Sequence, residues 1–167
     1  VTAHTGIQVC AGGLVVKGEE TTITATGTPI DKTGNDGGIS DGAAISIVKR
    51  DGYQNLDTVS IENGTFTSSV NSKPVKAYTF NNTDKTENVW DEAGDVVSVS
   101  AGNFSSPVEK KYLADGLNTE LYDTGKNPDA PFSYYSSVEA AQEAATNEGV
   151  VTEVAGENET SHQITLD

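Results

Sequence analysis

Across the first two-thirds of the chain, apolar residues recur at every second position in short runs, and glycine, asparagine or proline breaks the runs. A period of two puts alternate side chains on opposite faces of a pleated strand, so this chain must build sheet rather than a helix bundle. Ile7 and Val9 alternate with polar neighbours, and Leu14-Val15-Val16 follows the break at Gly12-Gly13. The β-branched run Thr21–Thr26 places Ile23 and Ala25 on one face, and Gly27-Thr28-Pro29 stops it because proline cannot donate to a ladder. Residues 31–42 are rich in turn formers, after which Ile45 and Ile47 share a phase. Val59-Ser60-Ile61 and Thr65–Val70 flank Glu62-Asn63-Gly64, and Asn-Gly tolerates the positive φ of a type I′ turn, which predicts a hairpin. Val75–Phe80 and Asp95–Ser100 read as further strands, the latter returning through Ala101-Gly102-Asn103 to Phe104.

Strands spaced about 8–12 residues apart favour a sandwich or barrel over βαβ units. The expected fold is therefore all-β: an antiparallel β-sandwich, immunoglobulin-like or jelly-roll-like, of nine or ten strands with one short C-terminal helix. From Ala114 the period is lost, and residues 114–135 read as a long loop carrying Tyr122, Phe132, Tyr134 and Tyr135. Ser136-Ser137-Val138-Glu139 fits a capping box, and the alanines that follow are strong helix formers, with Val138, Ala141 and Ala145 as a narrow apolar stripe. Asn147 and Gly149 suit a left-handed cap, and Val150–Val154 and Gln163–Leu166 read as terminal strands. The organisation expected is an N-terminal strand over 1–13, a sandwich core over 14–113, and a loop, helix and terminal strand over 114–167 on the same domain.

The chain carries 25 acids against 10 bases, a net charge of −15, which repels nucleic acid and anionic lipid and favours solubility. No run of apolar residues is long enough to span a membrane as a helix. There is no Met, so Val1 is not expected to be the translation start; either a leader was cleaved or the chain was trimmed, and a cleaved leader, with export, is the expectation. Cys10 is the one cysteine, so the fold holds without an internal disulfide.

Motifs for catalysis are absent: no G-x-S-x-G, P-loop, G-x-G-x-x-G, H-E-x-x-H or C-x-x-C occurs. The two histidines, His4 and His162, stand near opposite ends, and adjacent acids such as Glu19-Glu20 and Asp91-Glu92 point to opposite faces of a strand. The chain reads as no enzyme, and no cofactor is expected. Calcium is the one ion these acidic turns suit: Asp31, Asn35, Asp36 and Asp41, with Thr33, have a loosely EF-like spacing, and Asp123, Asn127 and Asp129 form a second set. Against the first set, the sixth position is Asp36 where glycine is needed, and no Glu stands at the twelfth. Sequons for N-linked glycans begin at Asn63, Asn81, Asn103 and Asn158, the first three at expected turns or strand ends.

The segment Val59-Ser60-Ile61-Glu62-Asn63-Gly64-Thr65-Phe66-Thr67 resembles strands of immunoglobulin-like repeats in prokaryotic surface proteins, and the acidic, Thr-rich, sequon-bearing composition is similar to that of archaeal S-layer and extracellular filament subunits. The long apolar N-terminal helix of archaeal type IV pilins is missing. The resemblance implies an extracellular, cell-surface structural subunit that polymerises with itself, in a pilus-like filament or S-layer. Donor-strand complementation, in which one subunit lends a terminal strand to the next, is a mode it allows. Thr5, Ile7 and Val9 of a lent strand, joined at Gly12-Gly13, and the aromatic residues Tyr122, Phe132, Tyr134 and Tyr135 would then line the subunit interface. A virion capsid-decoration or tail protein, and a carbohydrate- or calcium-binding surface module, are the alternatives.

Overall fold

The alternating runs do form strands, and the computed structural model describes residues 1–27, 39–122, 127–148, 152–156 and 162–164. The strands, however, stack in parallel and wind round a common axis. β1 (Thr2–Ala3), β2 (Ile7–Val9), β3 (Gly12–Val16) and β4 (Thr22–Ala25) open the chain. A second coil follows in β5 (Ile45–Arg50), β6 (Leu56–Ile61) and β7 (Thr65–Thr67). The third contains β8 (Val75–Asn81), its short companion β9 (Thr86–Asn88), β10 (Val97–Val99) and β11 (Asn103–Phe104). One sheet has the order β2-β5-β8-β9, a second β3-β6-β10, and a third β1-β4-β7-β11. Apart from the antiparallel β8–β9 pair, every ladder in these three sheets is parallel. Each circuit of the chain adds one strand to each sheet, the signature of a three-sided solenoid.

The expected antiparallel sandwich is thereby overturned. Period-two alternation reports that a strand has two faces and says nothing of the direction of its neighbour, so the same pattern fits both folds. The expected Asn63-Gly64 hairpin fails on direct geometry. β6 and β7 lie in different sheets, and of the pair only Gly64 takes positive φ (122°), whereas a type I′ turn needs it at both residues. The dipeptide is instead a corner of the solenoid, repeated one coil later at Gly102, whose φ is 127°. A Cβ at Gly102 would sit 3.1 Å from the Gly64 carbonyl oxygen, and Asn103 N–H donates to that same oxygen at 2.8 Å.

In-register stacking builds the core. Ile7, Ile45 and Val75 align across the first sheet, as do Val9, Ile47 and Ala77. Leu14, Val59 and Val97 form one column of the second sheet, and Val16, Ile61 and Val99 another. Ile23, Phe66 and Phe104 align in the third, with the two rings stacked at 5.1 Å and 15°. Side chains from all three sheets meet in one buried cluster. The sheet containing β5 is also covered outside, where Ile39, Val48, Tyr78 and Phe80 form a second cluster with Cys10 at its margin.

A fourth, antiparallel sheet follows. β12 (Thr119–Tyr122) and β13 (Ser133–Tyr135) lie within the stretch expected to be a loop; α1 (Val138–Glu148), β14 (Thr152–Ala155) and β15 (His162–Ile164) complete it. The order is β13-β12-β14-β15, and Ala141 and Ala145 of α1 pack on Leu121 and Val154. The cap differs by one residue from the expected box: Ser137 Oγ, rather than Ser136, accepts from Ala140 N–H at 3.1 Å. Among the described residues the count is fifteen strands and one α-helix, well above the nine or ten strands expected, because many are only two or three residues long.

Replacing Phe66 by alanine removes the central member of the third-sheet column, and equilibrium denaturation should record a loss of about 3–5 kcal/mol. Val15→Ala, on the exposed outer face of β3, should change stability by less than about 0.5 kcal/mol.

Candidate functional site

Two places on the solenoid remain chemically unfinished. The first is its N-terminal end. β2 and β3 are the edge strands of their sheets, with no ladder partner on the far side among the described residues. On the third sheet β1 covers the corresponding edge of β4. At the other end β9 pairs with β8, Leu113 makes a single bridge to Val99, and Phe132 makes a single bridge to Phe104. Gly12 N–H and the Val16 carbonyl point to the second coil, donating to Asn55 O at 3.1 Å and accepting from Glu62 N–H at 2.7 Å. Alternation along β3 then turns the Val15 amide toward the open edge. Val15 is 52% exposed.

The second is a cavity of about 470 Å³ along the corner between the first two sheets. Each coil contributes to it: Cys10 from the first, Lys49 to Leu56 from the second, and Trp90 and Val96 from the third. The Lys49 ammonium stands 5.2 Å from the centre of the Trp90 ring. The Arg50 guanidinium lies 5.4 Å from the Tyr53 ring centre and 5.0 Å from that of Phe80. Arg50 donates through Nε (3.1 Å) and Nη2 (2.6 Å) to Asn82 Oδ1. Its Nη1 is enclosed without a hydrogen-bond partner, and so is Nε1 of Trp90. Burial pushes the Cys10 thiol above its ordinary pKa, while the charge and hydrogen bond of Arg50 act in the opposite direction.

Asp41, from the first calcium set, is fully buried. Its Oδ1 accepts from Thr5 Oγ1 (2.9 Å) and Ala43 N–H (3.0 Å), and its Oδ2 from Tyr78 OH (2.9 Å) and Ser46 Oγ. Both oxygens are thus engaged by protein donors, and the carboxylate ties the chain ahead of β2 to the outer face of β5 and β8. Burial, then the Asp41 charge, drives the Tyr78 hydroxyl far above its ordinary pKa. Asp31, Asn35 and Asp36 lie outside the described residues, as does Asp123 of the second set. Asn127 Oδ1 accepts from Asp129 N–H at 2.9 Å. Among the described residues no group of three or more His, Cys, Asp and Glu side chains is placed to hold a metal ion, and no helix is long and apolar enough to cross a membrane.

The expected interface residues separate. Thr5 belongs to the Asp41 network, and Ile7 and Val9 pair in parallel with Ile45 and Ile47 of the same chain. Tyr134 is a core residue whose hydroxyl accepts from Val108 N–H at 2.6 Å and donates to Glu120 at 3.0 Å. Tyr135 is partly buried against the α1 cluster. Tyr122, 40% exposed, pairs with Phe132 at 4.7 Å beside a shallow groove of about 280 Å³. Of the sequon asparagines, Asn63 accepts from Gly64 N–H, Asn81 organises the turn at Thr83 and Asp84, and Asn103 accepts from Ser133 Oγ at 2.7 Å. Asn158 lies outside the described residues.

No protein-family model matches the chain, and neither a curated protein nor a solved structure does so. Function must therefore be argued from the geometry itself.

Asp41→Ala strands the Tyr78 and Ser46 hydroxyls without their acceptor and should cost roughly 3 kcal/mol in chemical denaturation. Glu120 offers a pH test. Burial holds its carboxyl above the ordinary Glu value, and the Tyr134 hydrogen bond opposes that shift. The folded state therefore holds this proton more tightly than the unfolded chain, so the group's contribution is greatest at low pH and is lost as pH rises through the raised value. Thermal melts of Glu120→Gln and the parent protein should coincide near pH 4 and diverge in favour of the variant from about pH 4 upward.

Proposed function

We propose that this protein is a structural subunit of an assembly outside the cell, a surface filament or layer, and that its subunits join through the N-terminal end of the solenoid. The observation that carries the reading is the unequal treatment of the two ends: β9 pairs with β8 and single bridges from Leu113 and Phe132 meet the last coil, whereas among the described residues β2 and β3 have no partner on their outer side. An edge strand presents a row of backbone donors and acceptors that readily pairs with another chain. The partner is a second copy. Two identical edges meeting about a two-fold axis run antiparallel and satisfy each other; this isologous contact closes at a dimer, which is then the building block that further surfaces extend into the filament or layer. The mode is thus addition of strands at β2 and β3, and not the lending of residues 5–10, because Ile7 and Val9 already complete the first sheet. Strong net negative charge and the absence of any internal disulfide are compatible with a soluble subunit that gains its permanence from assembly.

Sedimentation velocity over a wide concentration range should show the protein moving from monomer to dimer or larger species. Val15→Pro removes the outward amide without touching the ladder to β6, and should leave the circular dichroism spectrum intact while abolishing association. A parent protein that stays monomeric at every concentration, or a proline variant that associates equally well, would overturn the proposal.

A further inference from the structure

The antiparallel sheet beyond the last coil has a face that assembly at β2 and β3 does not use. In its register Glu120 lies opposite Tyr134 and Ala155, and Tyr122 lies opposite Glu153. Alternation therefore puts Glu120, Tyr122, Glu153 and Ala155 on one face, while Leu121 and Val154 turn to α1 on the other. On the first face Glu120, Tyr122, Phe132, Glu153 and Ala155 line the groove of about 280 Å³. Its apolar part is the ring pair of Tyr122 and Phe132, 4.7 Å between centres, together with Ala155. Its charged part is two carboxylates at diagonal positions of neighbouring strands, which sets their Cβ atoms roughly 7–8 Å apart. Both acids are partly buried, and no basic residue is among the five that line the groove. Like charges so placed repel each other, and a cation entering from outside relieves both.

We propose that this groove takes the side chain of a lysine presented by a partner protein, its aliphatic stem along Tyr122 and Phe132 and its ammonium between Glu120 and Glu153. The two rings and Ala155 give the stem an apolar bed, and ring faces also attract an ammonium. A metal ion has no use for that surface, and the groove offers it only two carboxylates. An ammonium carries three N–H donors that can divide between separated acids, whereas a guanidinium needs both oxygens of one carboxylate for its fork. Glu120 Oε2 already accepts from Tyr134 OH at 3.0 Å, which blocks a fork at that acid. A quaternary ammonium has no N–H to give either acid. The groove is smaller than the usual small-molecule site, which suits one inserted side chain. A net charge of −15 draws a basic partner toward the chain.

The probe is the blocked peptide acetyl-Gly-Gly-Lys-Gly-Gly-amide, compared with the same peptide carrying norleucine or arginine at its centre. Norleucine keeps the stem and drops the ammonium. Nitrogen-15 correlation spectra should show saturable shifts at the amides of β12 and β14 with the lysine peptide, a weaker response with arginine, and none with norleucine. Glu153→Gln should weaken the lysine peptide about 3- to 10-fold in calorimetry, and so should Tyr122→Ala. Glu120→Gln should weaken it as much. That variant is expected to be no less stable than the parent protein, so it separates lost binding from a lost fold. The proposal is overturned if the lysine peptide causes no shift, if the norleucine or arginine peptide binds equally well, or if either glutamine variant binds like the parent protein.

Discussion

Phe66 lies between Ile23 and Phe104 in the third sheet, and its ring stacks on that of Phe104. This column and its equivalents at Ile7, Ile45 and Val75 and at Val16, Ile61 and Val99 depend on parallel strands held in register. A slip of one residue in any coil would turn its apolar set outward, so burial in the shared core enforces the winding of the whole chain. The columns also explain the corners. Gly64 and Gly102 must turn at the same height above equivalent residues, and each takes a backbone angle that L side chains rarely adopt.

Two consequences follow from that winding. The sheet containing β5 is buried on both sides, because the segment ahead of β5 folds back over its outer face with Ile39 and the Asp41 carboxylate. A buried carboxylate is tolerated only when donors surround it, and Thr5, Ala43, Ser46 and Tyr78 do so. The second consequence concerns the ends. A solenoid produces edges wherever its coiling stops, and the terminal coil must be closed by other structure or by another chain. The antiparallel sheet and α1 follow the last coil, while bridges from Leu113 and Phe132 meet its edge strands. β2 and β3 carry the proposed subunit contact.

One repeat in the chain was legible and passes unnoticed when strands are read singly. Val59-Ser60-Ile61-Glu62-Asn63-Gly64-Thr65-Phe66-Thr67 is matched by Val97-Ser98-Val99-Ser100-Ala101-Gly102-Asn103-Phe104-Ser105, a spacing of 38 residues from 59 to 97. Recurrence of that length is the mark of stacked coils, and it replaces the hairpin reading of Asn63-Gly64. The corner cavity had no such signal. Cys10, Arg50 and Trp90 are far apart in sequence, and Lys49-Arg50 at a strand end looks like ordinary solvated charge. Only stacking of three coils brings them to one wall. Tyr134 and Asp41 were misleading for the related reason that exposure cannot be inferred from polarity when a later segment supplies the cover.

The sequence by itself determined that this protein is built from short two-faced strands, that α1 lies where the alanine run stands, and that no disulfide within the chain holds it together. Those properties are local: alternation, helix propensity and residue inventory act within a few positions. The tertiary structure alone decided that the strands of the solenoid run parallel, that Asp41 is fully buried, and that among the described residues β2 and β3 keep open edges. Strand direction depends on where the chain returns after thirty or more residues, and the burial of whole coils selects that path.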